Sequence, residues 1–230
     1  METAPISSTL VIAPHADDEA LGAGGLIAKL TRGGARVRVV FAVLDGFHHY
    51  GAPGGVTLEE RRAEVREAAR ILGFESAVVY EGKDLIEKLD TVPLRDLVDR
   101  FEHELNQFRP DVLLLPHGWE YDQDHAVCFR AGFAAARPIP ETLGKHLVRR
   151  VLVYESPKVT WTESPFRPRL YWDIRDELEL KLRAIGAYRT QLREPPHVRS
   201  LDNIRALAHL RGSEIGTSYA EAYDVLRWVP

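Results

Sequence analysis

The stretch that most constrains this chain is Thr9 to Leu30. There an apolar run, Thr9-Leu10-Val11-Ile12-Ala13, passes straight into Pro14-His15-Ala16-Asp17-Asp18-Glu19 and then into the pattern Leu21-Gly22-Ala23-Gly24-Gly25-Leu26-Ile27-Ala28-Lys29-Leu30. A strand that ends where a helix begins opens a βα unit, and in open α/β sheets that junction lies at the carboxyl edge, where ligands bind. This junction carries an imidazole and three carboxylates within five residues. One Asp is enough to cap a helix, and crowding further like charge beside it calls for a cation. His15 and Asp18, three residues apart, can face one side of a first helical turn, which makes them candidate metal ligands. Asp17, rotated away from both, is then free to address a molecule bound to the metal.

With 230 residues and 45% hydrophobic content, the chain can bury one sizeable core, so a single domain over 1-230 is expected. A net charge of −4 leaves no basic stripe for phosphate backbones and argues against nucleic acid as a partner. Cys128 is the only cysteine, which excludes an intrachain disulfide and any cysteine-cluster metal site. Met1 to Ser8 lacks the basic and apolar regions of a signal peptide, and no apolar run approaches the roughly 20 residues of a membrane span. A cytoplasmic protein is expected, its assembly state open, a homo-oligomer included.

Along the chain, Ala35 to Leu44 reads as a second strand, Thr57 to Gly73 as a helix with Glu60 at capping-box spacing, and Ser76 to Tyr80 as a third strand. Between them Asp45 to Gly55 reads as a substrate-facing loop, with His48-His49 an exposed polar pair rather than ligands. Pro93 to Phe108 is an amphipathic helix. Asp111 to Pro116 is an apolar run of the kind a parallel sheet covers on both faces. It delivers a second polar cluster, His117-Gly118-Trp119-Glu120-Tyr121-Asp122-Gln123-Asp124-His125, before a helix from Ala126 to Ala136. Strand, helix and strand alternate throughout, so the expected fold class is α/β: a Rossmann-like, mostly parallel sheet flanked by helices. Both clusters then fall on one sheet edge, and His125 can join His15 and Asp18 around one ion, with Asp124 accepting its second N–H. Leu147 to Tyr154 is a further strand, Asp176 to Leu192 and Ser200 to Arg211 are helices, and the tail from Tyr219 returns apolar residues to the body. The rings of Trp161, Phe166, Tyr171 and Trp172 are expected in the core.

His-Ala-Asp-Asp-Glu with the following Leu-Gly-x-Gly-Gly resembles the His-Pro-Asp-Asp-Glu signature of the PIG-L/LmbE-like family of metal-dependent N-deacetylases, Ala16 standing for the usual Pro. The resemblance extends to Asp124-His125, to Arg61-Arg62-Ala63-Glu64, to Lys181 with Tyr188-Arg189-Thr190-Gln191, and to the closing Tyr-Ala-Glu-Ala-Tyr. It implies that Arg61 helps to hold substrate, and that the substrate is a small N-acetylated sugar or glycoconjugate of the N-acetylglucosaminyl type. One departure stands out. The family's form is His-x-Asp-His, and here Asp122 replaces the first histidine, which would ordinarily stabilise the oxyanion or protonate the leaving amine. An ionised Asp, with an ordinary pKa near ~3.9, does neither. Asp122 is therefore expected to orient a neighbour, with His117 the candidate substitute for the missing imidazole.

Two imidazoles and a carboxylate leave an open coordination position, the catalytic form of a Zn2+ site, although Fe2+ or another divalent ion suits the same donors. Asp17 is the expected general base. Two other readings remain. The same donor set is the facial triad of non-haem Fe(II) oxygenases, whose sites usually lie in β-barrels, and Gly22-Ala23-Gly24-Gly25 after a strand raises a non-catalytic nucleotide- or sugar-binding module.

Overall fold

The structure, a computed structural model, describes residues 5–47 and 55–230; the His48-His49 pair lies outside them. The β1 strand (Ser8–Ala13) runs into α1 (Asp18–Arg32), then β2 (Arg36–Leu44), α2 (Leu58–Leu72) and β3 (Glu75–Glu81). α3 (Leu94–Phe108), β4 (Val112–Leu115), α4 (Gln123–Ala135) and β5 (Arg150–Tyr154) follow. The last third holds β6 (Leu170–Asp173), α5 (Leu178–Ala187), α6 (Leu201–Ser213) and β7 (Ala220–Trp228). All seven strands form one sheet in the order β3-β2-β1-β4-β5-β7-β6. The first five are parallel, and β7 pairs antiparallel with β5 and with β6. This is the α/β class read from the sequence.

The strand period sorts the core into two layers. Val11 and Ala13 of β1, with Val112 and Leu114 of β4, face α1, α2, α5 and α6. Leu10 and Ile12, with Leu113 and Leu115, face α3 and α4. Because β1 neighbours both β2 and β4, the chain reverses its winding between β1 and β4, and the crevice at that reversal is where such sheets bind ligands. The two polar clusters leave the carboxyl ends of these two strands.

Several elements differ from the sequence reading. α4 begins at Gln123, earlier than Ala126, because the Asp122 carboxylate caps it by accepting from the Asp124 N–H at 3.1 Å. α5 stops at Ala187, well before Leu192. The residues beyond leave the helix so that the Thr190 N–H can donate to Glu64 at 2.8 Å and the Tyr188 hydroxyl to Glu19 at 2.5 Å. The strands β6 and β7 arise where the sequence shows an aromatic stretch and an apolar tail. Of the four rings expected in the core, Trp172 packs edge-on to Tyr223 at 5.4 Å and Phe166 packs against the α3–α4 layer, while Trp161 is 75% exposed.

The glycines of α1 are set by close packing. A Cβ on Gly22 would lie 2.1 Å from the Tyr154 ring, and one on Gly25 would lie 2.7 Å from Ile174. Both are buried inside the helix against side chains, which removes the basis for a phosphate-cradling loop and with it the nucleotide-binding alternative. The close approach admits a buried ion pair between α5 and β7. Lys181 Nζ lies 2.6 Å from Glu221 and donates to the Leu21 carbonyl at 2.8 Å. Glu221 in turn accepts from the Gly25 and Leu26 N–H groups and from the Tyr223 hydroxyl, each at 2.8 Å. Among the described residues, no helix is long and apolar enough to cross a membrane.

Removing one member of a buried pair leaves the other charge unpaired, at a cost of about 3–5 kcal/mol. Glu221→Ala is therefore expected to lower unfolding free energy by that amount in a denaturant titration; a loss within about 1 kcal/mol would show that the pair does not anchor α1.

Candidate metal centre and active site

The turn after β1 is held under strain. Asp17, the residue before α1, has φ 129°, a region disfavoured for any side chain but glycine, and its carboxylate makes no capping bond to the helix. The side chain instead lines a cavity of about 410 Å³ together with His15, Phe47, Arg61, Tyr121, Asp122, Lys158, Gln191 and Arg199. Two contacts fix the conformation. The Asp17 N–H donates to Glu19 at 3.2 Å, and the guanidinium of Arg61, from α2, donates to the Ala16 carbonyl.

His15, Asp18 and His125 come together at this turn, their candidate ligating atoms within 4.8 Å of one another. His15 Nδ1 lies 3.4 Å from Asp18 Oδ2, and His125 Nε2 lies 3.2 Å from the same oxygen. Each ring turns its other nitrogen to a carboxylate. His15 Nε2 is 2.9 Å from Asp124 Oδ2, and His125 Nδ1 forms an ion pair with Glu120. The partner assignment thus differs from the sequence reading, in which Asp124 serves His125. Adjacent residues on a helix are about 100° apart, so the Asp124 carboxylate points across to His15 and to the backbone N–H groups of Glu87 and Leu89 at 2.8 and 2.9 Å. Glu120, five residues before His125, is the group that sequence reasoning missed.

Electrostatics divide the two neighbouring Asp residues. Burial and the Asp18 charge push Asp17 up from the ordinary carboxylate value, against the pull of Arg199, Lys158 and Arg61. Burial would raise Asp18 too, but His125 and Lys158 facing it hold it well below that value. One Asp is thus kept as a permanent anion and the other made a better proton acceptor, the split that separates a ligand from a base. Burial opposes a proton on each imidazole, yet bonding to Asp124 and Asp18 raises His15 to about 9, and the charges of Asp18 and Glu120 raise His125 to about 10. Asp122 falls to about 2, because His125, Lys158 and His15 outweigh its burial, so it stays ionised.

Two expected residues are placed elsewhere or otherwise. His117 does not line this cavity. Its Nε2 is 3.2 Å from the Ser164 carbonyl and its ring stands edge-on to Phe166 at 5.7 Å, which corrects its candidacy as the substitute imidazole. Arg61 lines the cavity but its terminal nitrogens are taken by Glu64 at 2.6 Å, Thr190 at 3.0 Å and the Ala16 carbonyl. It clamps the Asp17 turn to α2 while still lining the cavity, a contact the sequence reading did not anticipate. Two cations absent from the sequence reading are present. Arg199 reaches Asp17 Oδ2 at 3.3 Å and Gln191 at 2.7 Å, and Lys158 reaches Asp122 Oδ2 at 3.2 Å.

A mostly parallel sheet with this pair of polar clusters at its winding reversal defines an α/β protein with a candidate metal site at the carboxyl edge of its strands. The sequence profile of the GlcNAc-PI de-N-acetylase (PIG-L) family matches residues 10–136, more than half of the chain, and the chain belongs to that family. It is 27% identical to the diacetylchitobiose deacetylase of Thermococcus kodakarensis, over 98% of this chain and 84% of that one. The solved structure of the N,N'-diacetylchitobiose deacetylase of Pyrococcus horikoshii superposes with a TM-score of 0.70 at 25% identity, over 96% of this chain and 84% of that one. The fold also matches a 4-carboxy-2-hydroxymuconate hydratase from Pseudomonas putida, TM-score 0.77 at 22% identity over 98% and 97% of the two chains. The fold alone therefore does not select the reaction, and the site must.

A carboxylate that orients a metal-bound imidazole is worth about 10–100-fold in metal affinity. Glu120→Ala is expected to weaken zinc binding by that factor in a competition titration against a chromophoric chelator; unchanged affinity would remove Glu120 from the site.

Proposed function

We propose that this protein is a divalent-metal-dependent N-deacetylase acting on N-acetylglucosaminyl compounds. The observation that carries the proposal is Asp17, held at positive φ with its carboxylate in the cavity beside the His15–Asp18–His125 cluster, of which Asp18 and His125 are buried.

The donor set fits a catalytic ion. Asp18 is fully buried and its Oδ1 accepts no hydrogen bond, Lys158 facing it only at 3.7 Å, so a lone pair is left for an ion to meet. Two imidazoles, each backed by its own carboxylate, complete a three-residue set that leaves a position open, as in catalytic zinc sites. An ion bound there would supply Lewis acidity toward an amide carbonyl and lower the pKa of water. The chain's own groups do the rest. Asp17 accepts a proton from the attacking water, and the same carboxylic acid delivers it to the departing amine nitrogen. Arg199 holds the Asp17 carboxylate toward the cavity, and Gln191 fixes that guanidinium. A volume of about 410 Å³ accommodates a small glycoside. The sugar specificity rests on the relatives, which include a probable N-acetyl-alpha-D-glucosaminyl L-malate deacetylase of Bacillus cereus, 25% identical over 79% of this chain. Family membership favours hydrolysis over the oxygenase alternative, and the parallel α/β sheet is not the β-barrel in which facial-triad iron sites usually lie.

Zinc-loaded protein incubated with N-acetylglucosamine, N,N'-diacetylchitobiose and an N-acetylglucosaminyl malate is expected to release acetate and primary amine from at least one of them. The chelator-stripped protein should release none, and absence of release from all three by the loaded protein would overturn the proposal. Asp17→Asn is expected to keep its metal and lose about 10²–10⁴ in kcat. Near-normal turnover in that variant would assign the base elsewhere.

A further inference from the structure

By resemblance the second motif would carry a histidine where this chain has Asp122, and among the described residues no further imidazole lines the cavity: His117 is turned away, and His15 and His125 are engaged with Asp18. What the structure brings to Asp122 is an ammonium. Lys158 lies on the short 3-10 turn Pro157–Thr160 that follows β5, the parallel neighbour of β4, so its side chain enters the cavity from the sheet edge that delivers Asp122. Its Nζ is 3.2 Å from Asp122 Oδ2, 3.2 Å from His125 Nε2 and 3.7 Å from Asp18 Oδ1. The side chain is 7% exposed, and the backbone is fixed by donation of the Lys158 N–H to the buried Ser156 hydroxyl at 3.2 Å.

We propose that Lys158, held by Asp122, is a catalytic residue that stabilises the oxyanion of the tetrahedral intermediate in place of the family's histidine. The proposal rests on the deacetylase reading for its substrate, though not for its geometry. An ammonium has three N–H donors and no acceptor; Asp122 takes one, His125 Nε2 lies within reach of a second, and a third is left for an oxygen in the cavity. A fixed cation in a site with little water meets developing negative charge without reorganising, the form of transition-state stabilisation that contributes most in acyl transfer. Asp122 thereby acquires a definite task. It neither donates nor accepts a proton in the reaction but places the cation.

The step balances without any change of protonation at Lys158. The water oxygen bonds to the acyl carbon as Asp17 takes one water proton, and the carbonyl π pair moves onto oxygen, where Lys158 meets it. Collapse restores the C=O bond and breaks the C–N bond, whose electron pair stays on nitrogen. That nitrogen receives the proton held by Asp17, giving the free amine and acetic acid, which ionises.

A purely charge-balancing lysine among these carboxylates makes a different prediction. If Lys158 only neutralised the cluster, its loss would lower stability and leave affinity for a tetrahedral anion in place; as an oxyanion donor, its loss leaves the zinc in place and removes that affinity. The test compares the zinc-loaded wild type with Lys158→Met and Lys158→Arg in zinc content, in kcat and KM for acetyl release, and in calorimetric binding of methylphosphonate. Lys158→Met is expected to retain stoichiometric zinc, to lose about 10²–10³ in kcat with KM little changed, and to bind methylphosphonate at least about tenfold more weakly. Lys158→Arg should recover part of both losses. Unchanged methylphosphonate affinity in Lys158→Met, or loss of its zinc, would overturn the assignment. A wild type that binds methylphosphonate through Lys158 but deacetylates no sugar would remove the deacetylase reading and leave the anion-binding role of Lys158 standing.

Discussion

Five buried carboxylates, Asp17, Asp18, Glu120, Asp122 and Asp124, converge at the carboxyl ends of β1 and β4, and much of the surrounding structure is arranged to keep that charge inside the protein. An isolated buried carboxylate is too costly to persist ionised; each needs a cation or a set of N–H donors. Asp124 has two backbone N–H groups and His15, Asp122 has Lys158 and the start of α4, and Asp17 has Arg199. Glu120 faces His125. Asp18, ringed by two imidazoles and an ammonium, retains an oxygen without a hydrogen bond, and that is where a divalent ion fits the arrangement. The excess of negative charge is thus the chief cost of the site and favours a bound cation.

Holding such a cluster requires a rigid frame, and the frame is recruited from distant parts of the chain. Arg61 ties the strained turn at Asp17 to α2, while Glu64 on that helix secures the turn after α5 through Thr190. The same turn presents Gln191 to Arg199, and Arg199 to Asp17. Beneath it, the Lys181–Glu221 pair anchors the middle of α1 to α5 and β7. Residues in the last fifth of the sequence therefore position Asp17, the proposed base, in the first tenth, and substitutions far from the cavity are expected to act through this frame.

Much of this was legible locally. The passage from Thr9–Ala13 into an acidic helix start announces a βα junction, and the like passage from Asp111–Pro116 announces a second, so the juxtaposition of His15, Asp18 and His125 follows from sheet topology. What the sequence conceals is the direction of each side chain. Asp124 is the neighbour of His125 along the chain but serves His15, because the helix turns it away. Glu120 carries no motif, and its role depends on the path of the backbone between β4 and α4. Lys158 is invisible until β5 is known to lie beside β4, and β6 and β7 are weak as patterns because a polar residue, Glu221, is buried in the strand and a four-residue edge strand is short.

The central claim is that His15, Asp18 and His125 hold one ion. The described residues contain a second grouping able to hold a metal, His15 with Asp122 and Asp124, and the two compete for the same imidazole. Anomalous diffraction from a zinc-loaded crystal, collected on both sides of the zinc absorption edge, distinguishes them directly. The account predicts a single anomalous peak bonded to His15, Asp18 and His125, with Asp122 turned to Lys158; a peak coordinated by Asp122 and Asp124, or none near His125, would contradict it.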